Sequence, residues 1–392
     1  MSGKRSLRPE TLAVHAGKRG DPSGALVDPI FETAPFSFAD TDALAGASEG
    51  RPPDSFYTRE GNPTVSSAEK KLAALEGAED AALFGSGMAA ISTAFLAHLK
   101  RDDHIIATED LYGGALRFFR DVLEPMGVMT TLVQTEPRPK LEAAIRPETR
   151  WLYVESPTNP LVKIVDLAFV ADIARRRGLT AVIDGTFASP VLQRPLDLGF
   201  HLVLHSATKY LNGHADVTAG FAAGSREILS PIRERRIRTG AILDPLAAFL
   251  LTRGMKTVTL RVERQSENAL RLAEALTAHP AVERVHYPGL PFHAGHEAAR
   301  RQMKAFGAML AFDLKGGIEK ARMFLKRLEL ISLATSLGSV ETTADTPWLT
   351  SHRHVASERK HALGIQEGTI RLSVGAEAFE DLRDDIDNAL SS

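Results

Sequence analysis

The chain has 392 residues, 44% hydrophobic and 24% charged, which is long enough for a large core and two domains. Its 47 basic and 49 acidic residues argue against nucleic acid as the main partner. The absence of cysteine excludes a disulfide framework, a thiolate nucleophile and a cysteine-based zinc site. No apolar run approaches the roughly 20 residues that span a bilayer, and the basic start lacks an apolar signal core. We therefore expect a cytoplasmic protein without membrane contact.

The first 58 residues predict an N-terminal arm that lies across another surface. They are rich in Pro, Gly and small polar residues, and such a segment rarely makes a core of its own. The turn 57–61 places an aromatic and a cation close together, and helical spacing follows from Thr64 to Glu76, closed by Gly77.

A strand, a glycine turn and a helix come next. Residues 81–84 are apolar, 85–88 read Gly-Ser-Gly-Met, and small apolar residues continue to Leu99. A glycine turn that opens a helix presents N–H groups and the positive end of the helix dipole to an anion. By itself this signal is weak, because many such turns contain two glycines.

Further short apolar runs alternate with helical segments, and they lie at 104–107, 128–133, 151–155 and 180–184. This alternation predicts an α/β fold with a mostly parallel, doubly wound sheet, in which ligands bind at the carboxyl ends of the strands. Glu155, Asp184 and the segment 206–209 fall at such ends, so one site can gather them.

The second half of the chain predicts a long helix and then a smaller α+β domain. The helix spans 247–279, and its charged residues, including Arg261, predict a solvated face with helical ion pairs. We expect the large domain at 59–255 and the α+β domain at 256–392.

Lys209 follows the apolar run Leu202 to Leu204 and the hydroxyl residues Ser206 and Thr208. A lysine that is desolvated at a strand end can form a Schiff base with an aldehyde cofactor, and the hydroxyls can bind its phosphate. Taken alone, the pattern fits a surface lysine at a strand end better.

Asp184 ends another apolar run, where helix capping is the commoner role and pairing with a pyridinium nitrogen is the alternative. Together, Asp184 and Lys209 favour pyridoxal 5'-phosphate (PLP), with the ring of Tyr112 as a stacking candidate.

Ordered blocks along nearly the whole chain resemble the Cys/Met-metabolism family of PLP-dependent enzymes. That family includes cystathionine γ-synthase, cystathionine β- and γ-lyases, methionine γ-lyase and the homoserine-ester sulfhydrylases. The blocks lie at 57–59, 85–88, 110–114, 155–160, 184, 206–214, 336–338 and 371–375. They are specific for the family and much less so for one member.

The resemblance implies PLP fold type I, which is aspartate-aminotransferase-like, and a homotetramer of two tight dimers. It makes 59–255 the PLP-binding domain and carries the turn of Tyr57 and Arg59 across the dimer interface to the neighbour's phosphate. The cofactor-binding residues that it implies are Tyr57, Arg59, Gly87, Met88, Tyr112, Asp184, Ser206, Thr208 and Lys209. Those implied for the substrate α-carboxylate are Asn159, Ser336 and Arg371.

Several positions depart from the family pattern. Gly185 replaces a usual Asn, and Thr335 stands where the cystathionine γ-enzymes carry Glu. Arg117, near the glycine pair 113–114, resembles those γ-enzymes and suits a distal carboxylate, although a helix-surface arginine fits it nearly as well. Glu60 places an acid at the predicted site mouth, which favours a substrate with a basic distal group.

We therefore expect an enzyme that catalyses α,γ-elimination on a γ-substituted amino acid, with Lys209 and Tyr112 as the catalytic residues. The alternatives are γ-replacement, as in cystathionine γ-synthase or O-acylhomoserine sulfhydrylase, cystathionine β-lyase activity, and γ-elimination of a basic substrate such as canavanine. A non-catalytic or metal-binding protein of the same fold that has lost the cofactor role is the competing class. The histidine pairs 293/296 and 352/354 are interpreted as loop residues, and no metal is expected.

Overall fold

The computed structural model describes residues 7–48, 55–134 and 139–391, so parts of the predicted arm, 1–6 and 49–54, lie outside the described residues. The chain separates into two compact units. The first combines Met1–Leu99 with His201–Thr259, and the second combines Lys100–Phe200 with Leu260–Ser392. Each unit is thus assembled from two segments that are distant in sequence.

The elements below are numbered in chain order within the described residues. The strands are β1 (Asp80–Phe84), β2 (His104–Thr108), β3 (Met129–Val133), β4 (Thr149–Glu155), β5 (Thr180–Asp184), β6 (Leu202–His205), β7 (Gly220–Gly224), β8 (Val282–His286), β9 (Met309–Leu314), β10 (Ser332–Leu333), β11 (Thr343–Asp345) and β12 (Thr369–Ser373). The α-helices are α1 (Pro9–His15), α2 (Thr41–Ser48), α3 (Pro63–Glu76), α4 (Gly87–His98), α5 (Gly113–Phe118), α6 (Pro139–Ala143), α7 (Leu167–Arg177), α8 (Ser189–Leu192), α9 (Arg226–Thr239), α10 (Pro245–Met255), α11 (Val258–Ala278), α12 (His296–Gln302), α13 (Gly317–Arg327), α14 (Ser357–Ala362) and α15 (Phe379–Leu390). Across these residues, no helix combines the length and the apolar character that crossing a membrane requires.

In the first unit, β7 pairs antiparallel with β1 along one edge and with β6 along the other. All five residues of β7 are buried, and apart from Phe221 they are glycines and alanines. Small side chains leave room for a helix to pack closely, and α4 packs on this strand. β6 therefore runs through a fully buried sheet and carries Ser206 and Lys209 just beyond its end.

The predicted helix after the arm is confirmed, since α3 covers Pro63–Glu76. Asn62 caps it by accepting a hydrogen bond from the Thr64 N–H at 2.9 Å. Gly77 ends it at a φ of 69°, a left-handed conformation that glycine adopts without strain.

The single helix predicted over 247–279 is wrong, because α10 ends at Met255 and α11 begins at Val258. Between them, the N–H groups of Lys256 and Thr257 bond to carbonyls three residues back, which breaks the α-helical ladder. The predicted solvated face is also wrong at Arg261, which is 7% exposed.

In the second unit, the strands β3, β2, β4 and β5 lie side by side in that order and all pair parallel. Nearly every residue of β2, β4 and β5 is buried, as expected for parallel strands covered on both faces. The last pair of the β4–β5 register is Glu155 opposite Asp184. The predicted alternation of strand and helix, with polar residues at strand ends, is confirmed here.

The second unit also holds a five-stranded sheet in the order β10, β11, β12, β9, β8, antiparallel except for β10 with β11. Leu310, Phe312, Ile370 and Leu372 on one face of this sheet share a core with α13 and α15. Because side chains alternate along a strand, Arg371 of β12 points to the opposite face.

Candidate active site

Gly87 brings the glycine turn of the first unit against the segment that follows β6. It is the first residue of α4, and the side chain of Ser86 caps the helix by accepting from the Ala89 N–H at 3.0 Å. A Cβ atom on Gly87 would lie 2.8 Å from the Cβ of Ser206, so only glycine permits this approach. Ser206 thereby lies beside the start of a helix, where the N–H groups of Gly87 and Met88 have no partner within the helix. Backbone N–H groups at the start of a helix, beside a hydroxyl, fit a phosphate group.

Lys209 lies in the tight turn that follows Ser206. Its N–H donates to the Ser206 carbonyl at 3.2 Å, its carbonyl accepts from the Gly213 N–H at 2.8 Å, and its side chain is half-buried. The hydroxyl of neighbouring Thr208 accepts from the Ala219 N–H at 2.9 Å and donates to the Ala219 carbonyl at 3.1 Å. To donate to a phosphate as well, Thr208 must turn its proton away from that carbonyl.

Two buried carboxyl groups end neighbouring strands of the second unit. Glu155 is 4% exposed and Asp184 is 8% exposed. Glu155 accepts hydrogen bonds from two backbone N–H groups, that of Tyr112 at 2.7 Å and that of Asn159 at 3.2 Å. Burial and the neighbouring Asp184 raise the pKa of Glu155 well above its ordinary value. The strand pattern located Glu155, but no role was predicted for it.

Arg371 is buried at the centre of a polar cluster in the second unit. Its Nη1 donates to Oδ1 of Asn159 at 2.8 Å, and its Nη2 donates to Oδ2 of Asp345 at 2.6 Å and to the Ser336 carbonyl at 3.4 Å. The structure therefore brings Asn159, Ser336 and Arg371 together. Burial raises the pKa of Asp345 above its ordinary value, although the charge of Arg371 opposes this.

Sequence reasoning missed Asp345. It ends β11 directly opposite Arg371 in the β11–β12 register. The pairing was not predictable because β11 is only three residues long and shows no clear alternation. The only hint in the sequence was that Asp345 is an acidic residue that precedes Arg371, the predicted substrate-binding arginine.

Tyr112 directly precedes α5, and its ring is 45% exposed while its N–H is held by Glu155. The backbone is thus fixed and the ring remains accessible to a ligand. Arg117 lies further along α5 with an exposed side chain. The structure places Arg117 on the helix surface. This position is compatible both with binding a distal carboxylate and with an ordinary surface arginine.

The turn of Tyr57, Arg59 and Glu60 lies at the surface of the single chain. Tyr57 is 38% exposed, and the Arg59 guanidinium carbon lies 5.2 Å from the centroid of its ring. The Thr58 N–H donates to the Ala34 carbonyl at 2.8 Å, which ties the turn to the arm. The turn and the arm therefore form one connected exposed surface.

The histidine pairs make local contacts. His293 accepts from the Gly295 N–H at 3.0 Å, and burial lowers the pKa of His293 to about 4. His296 begins α12 and bonds to the Pro288 carbonyl at 2.8 Å. Over 7–48, 55–134 and 139–391, no three potential metal ligands lie close enough together to hold an ion.

The architecture is that of PLP enzymes of fold type I. A crystal structure of cystathionine gamma-lyase from Lactobacillus plantarum, complexed with L-serine, matches with a TM-score of 0.92. The two sequences are 38% identical, and the match covers 98% of this chain and 99% of that chain. The predicted fold class is confirmed.

The family model described as Cys/Met metabolism PLP-dependent enzyme matches residues 10–391, and the chain belongs to this family. The L-methionine gamma-lyase of Porphyromonas gingivalis is 42% identical over 385 residues, which are 97% of this chain and 96% of that protein. The cystathionine beta-lyase of Coxiella burnetii is 41% identical over 385 residues, 97% of each chain. The predictions of the family, of a PLP-dependent enzyme and of PLP as its cofactor are confirmed.

Proposed function

We propose that this enzyme catalyses α,γ-elimination on an amino acid that carries a leaving group at Cγ. The Cγ–heteroatom bond breaks, one water is consumed, and the products are a 2-oxo acid, ammonia and the protonated leaving group. The observation that carries an amino-acid substrate is the buried guanidinium of Arg371, which Asn159 and Asp345 hold in place. The names of the relatives, methionine gamma-lyase and cystathionine gamma-lyase, support γ-elimination.

The glycine turn and the segment after β6 would hold the phosphate of the cofactor. Gly87 and Met88 would donate backbone N–H groups, and Ser206 and Thr208 would donate hydroxyl protons. The close approach of Gly87 to Ser206 supports this assignment. Lys209 would carry the cofactor covalently.

The residues at the ends of β4 and β5 and around Arg371 would hold the cofactor ring and the substrate. Asp184 would pair with the ring nitrogen and Tyr112 would stack on the ring. Arg371, Asn159 and Ser336 would bind the α-carboxylate, because a guanidinium has more N–H groups than its bonds within the protein use.

When bound, PLP withdraws electrons from the substrate Cα. Once the amino group of the substrate has displaced Lys209 from the cofactor, the freed amine of Lys209 would remove the Cα proton and then a Cβ proton, and Tyr112 or Lys209 would give a proton to the departing γ-substituent. Lys209 lies half-buried in the turn after β6, and Tyr112 is exposed, so a ligand can reach its ring.

We also propose a cytoplasmic homotetramer in which Tyr57 and Arg59 reach the phosphate of a partner subunit. The exposure of this turn, and its attachment to the arm, support that role. The division into an arm at 1–58, a PLP-binding domain at 59–255 and a C-terminal domain at 256–392 stays a prediction beside the two compact units.

Substrate choice would depend on the exposed charges and on the departures from the family pattern. Arg117 would favour a distal carboxylate, whereas Glu60 would favour a distal cation. Thr335 has no carboxylate for a distal ammonium, which moves the preference away from cystathionine. Gly185 would leave Asp184 without the amide side chain that usually follows it.

Cystathionine β-elimination is the second candidate, because the beta-lyase relative is only one percentage point less identical than the methionine gamma-lyase, at 41% against 42%. The two reactions differ in their products. γ-Elimination of cystathionine gives 2-oxobutanoate and cysteine, whereas β-elimination gives pyruvate and homocysteine. γ-Replacement would instead consume a thiol and release no ammonia.

The deciding assay incubates the holoenzyme separately with cystathionine, methionine, homocysteine, an O-acylhomoserine and canavanine. Ammonia and individual 2-oxo acids are quantified, with and without added thiol. We expect 2-oxobutanoate from cystathionine or methionine. Dominant pyruvate from cystathionine, or turnover that requires a thiol, would contradict γ-elimination. Turnover of canavanine alone would assign the basic-substrate alternative.

A further inference from the structure

Glu155 links two parts of the candidate site that lie apart in the sequence, the segment of Tyr112 and the segment of Asn159. Its Oε2 accepts from the N–H of Tyr112, and its Oε1 accepts from the N–H of Asn159. Tyr112 is the proposed ring-stacking residue, and the side chain of Asn159 holds the guanidinium of Arg371 at 2.8 Å. One buried carboxyl group therefore holds the backbone at two separate segments of the candidate site.

We infer that Glu155 is a positioning residue that couples the placement of Tyr112 to the orientation of Arg371 through Asn159. The inference rests on the proposed roles of Tyr112 and Arg371. It does not depend on whether elimination occurs at Cγ or Cβ, because every amino-acid substrate presents an α-carboxylate.

The coupling needs a carboxyl group, since both oxygens of Glu155 act as acceptors. A glutamine has one acceptor oxygen and one NH2 donor. It can therefore accept from only one of the two N–H groups, and its NH2 group would face the other N–H, so that two donors meet. The bond to Tyr112 is shorter, at 2.7 Å against 3.2 Å for Asn159. Glutamine should therefore keep its oxygen on Tyr112 and lose Asn159.

The surroundings of Glu155 are acidic. Asp184 lies opposite it on β5, and Asp110 and Tyr153 also interact with it electrostatically. Burial and Asp184 both disfavour the ionised form of Glu155 and raise its pKa.

The first test is Glu155→Gln in the holoenzyme. We expect KM to rise about tenfold, as for the loss of one buried hydrogen bond, while kcat stays within about threefold. Cofactor absorption should stay unchanged because Tyr112 remains held. The matched control is Glu109→Gln, which neutralises a nearby carboxyl group that pairs with Arg359 at 2.8 Å instead of with these two N–H groups. The control should keep the wild-type KM.

The second measurement separates the inference from the reaction assignment. Norleucine has the α-amino and α-carboxylate groups but no γ-leaving group, and its binding is followed by the change in cofactor absorption. Glu155→Gln should weaken norleucine binding about tenfold in the wild-type background and less than about threefold in Asn159→Ala, because the two changes act on one interaction. If the enzyme proves not to catalyse γ-elimination, the expected result for norleucine binding stays the same.

The inference would be overturned if Glu155→Gln weakened norleucine binding equally in the wild-type and Asn159→Ala backgrounds. It would also be overturned if Glu155→Gln lowered only kcat and left KM unchanged. If Glu155→Gln does not fold, Glu155→Asp decides. It keeps the acidic group but is one methylene shorter, so it should raise KM if the two hydrogen bonds matter. Wild-type KM in Glu155→Asp would show that Glu155 acts only through its charge, contrary to the inference.

Discussion

Glu69 of the first unit and Glu155 of the second are both buried glutamates, 6% and 4% exposed, yet their surroundings shift their pKa values in opposite directions. Burial would raise the pKa of Glu69, but the charges of Arg236 at 2.6 Å and Arg233 at 3.0 Å, together with hydrogen bonds from Arg236 and the Leu83 N–H, lower that pKa. Glu155 has backbone N–H groups and Asp184 as neighbours, and its pKa is raised. Glu69, paired with two arginines, ties α3 to α9, whereas Glu155, beside a second acid, holds residues of the candidate site.

This comparison predicts that changes in the candidate site reduce activity with little loss of stability, and that changes around Glu69 do the reverse. Lys209→Ala should have the largest effect on activity. Removing the amine that moves protons should lower kcat by at least about 10³-fold, while the urea midpoint stays near that of the wild type. Peptide mapping after borohydride reduction of the wild type should find the cofactor on Lys209. Cofactor on another lysine would make the assignment wrong.

Arg371→Lys should have the next largest effect. Lysine keeps the charge opposite Asp345 but cannot bind a carboxylate through two parallel N–H groups, so kcat/KM should fall about 100-fold, mainly through KM. Arg284→Lys, an exposed arginine on β8, is the matched control and should be neutral. An unchanged KM in Arg371→Lys would place the substrate carboxylate elsewhere.

Glu69→Gln should lower stability and leave activity unchanged, the reverse of the changes in the candidate site. Glutamine leaves Arg236 partly unpaired in a buried position, so urea unfolding should show a loss of about 2 kcal/mol, with KM unchanged. Because the folded pKa of Glu69 lies below its ordinary value of 4.5, its contribution is complete above that pH and is lost as the pH falls below it. The stability difference between wild type and Glu69→Gln should therefore narrow in acid. A difference that widens in acid would contradict the ion-pair assignment.

The parts of the fold that could be predicted are those that depend on local pattern. The buried strands ending at Glu155 and Asp184 and the strand before Lys209 are apolar runs, and the end of α3 is visible as Gly77. The break between α10 and α11 was missed because Lys256 and Thr257 carry no Gly or Pro signal. The burial of Arg261 was missed because the charged residues around it have the spacing of a solvent-exposed helix face with ion pairs.

The candidate site shows the same limit. Lys209, Asp184 and Arg371 could be named because each lies in a recognisable block of sequence. Glu155 also begins such a block, but its contact with Tyr112 spans 43 positions, that of Asp345 with Arg371 spans 26, and that of Glu69 with Arg236 spans 167. Such contacts follow from the tertiary fold, which no local pattern encodes.

Exposed charges should matter less than the buried ones. Arg59→Ala should weaken cofactor retention about tenfold if Arg59 pairs with a partner's phosphate. Mixing Arg59→Ala chains with Lys209→Ala chains should restore some activity, because a hybrid dimer would contain one intact site. Subunit exchange without any recovery would contradict the role across the interface. Lys70→Ala, an exposed cation on α3, is the control and should retain the cofactor normally.

Arg117→Ala should have the smallest effect. An exposed cation contributes less than about 1 kcal/mol, so kcat/KM for cystathionine should fall about threefold, whereas methionine, which lacks a distal carboxylate, should be unaffected. The ratio of the two kcat/KM values is the measurement, and added salt should reduce the difference because exposed charges are screened. The control is Arg120→Ala, since Arg120 is equally on the surface but pairs with Asp121 at 2.7 Å. An equal loss for both substrates would show that Arg117 supports the local structure and does not select the substrate.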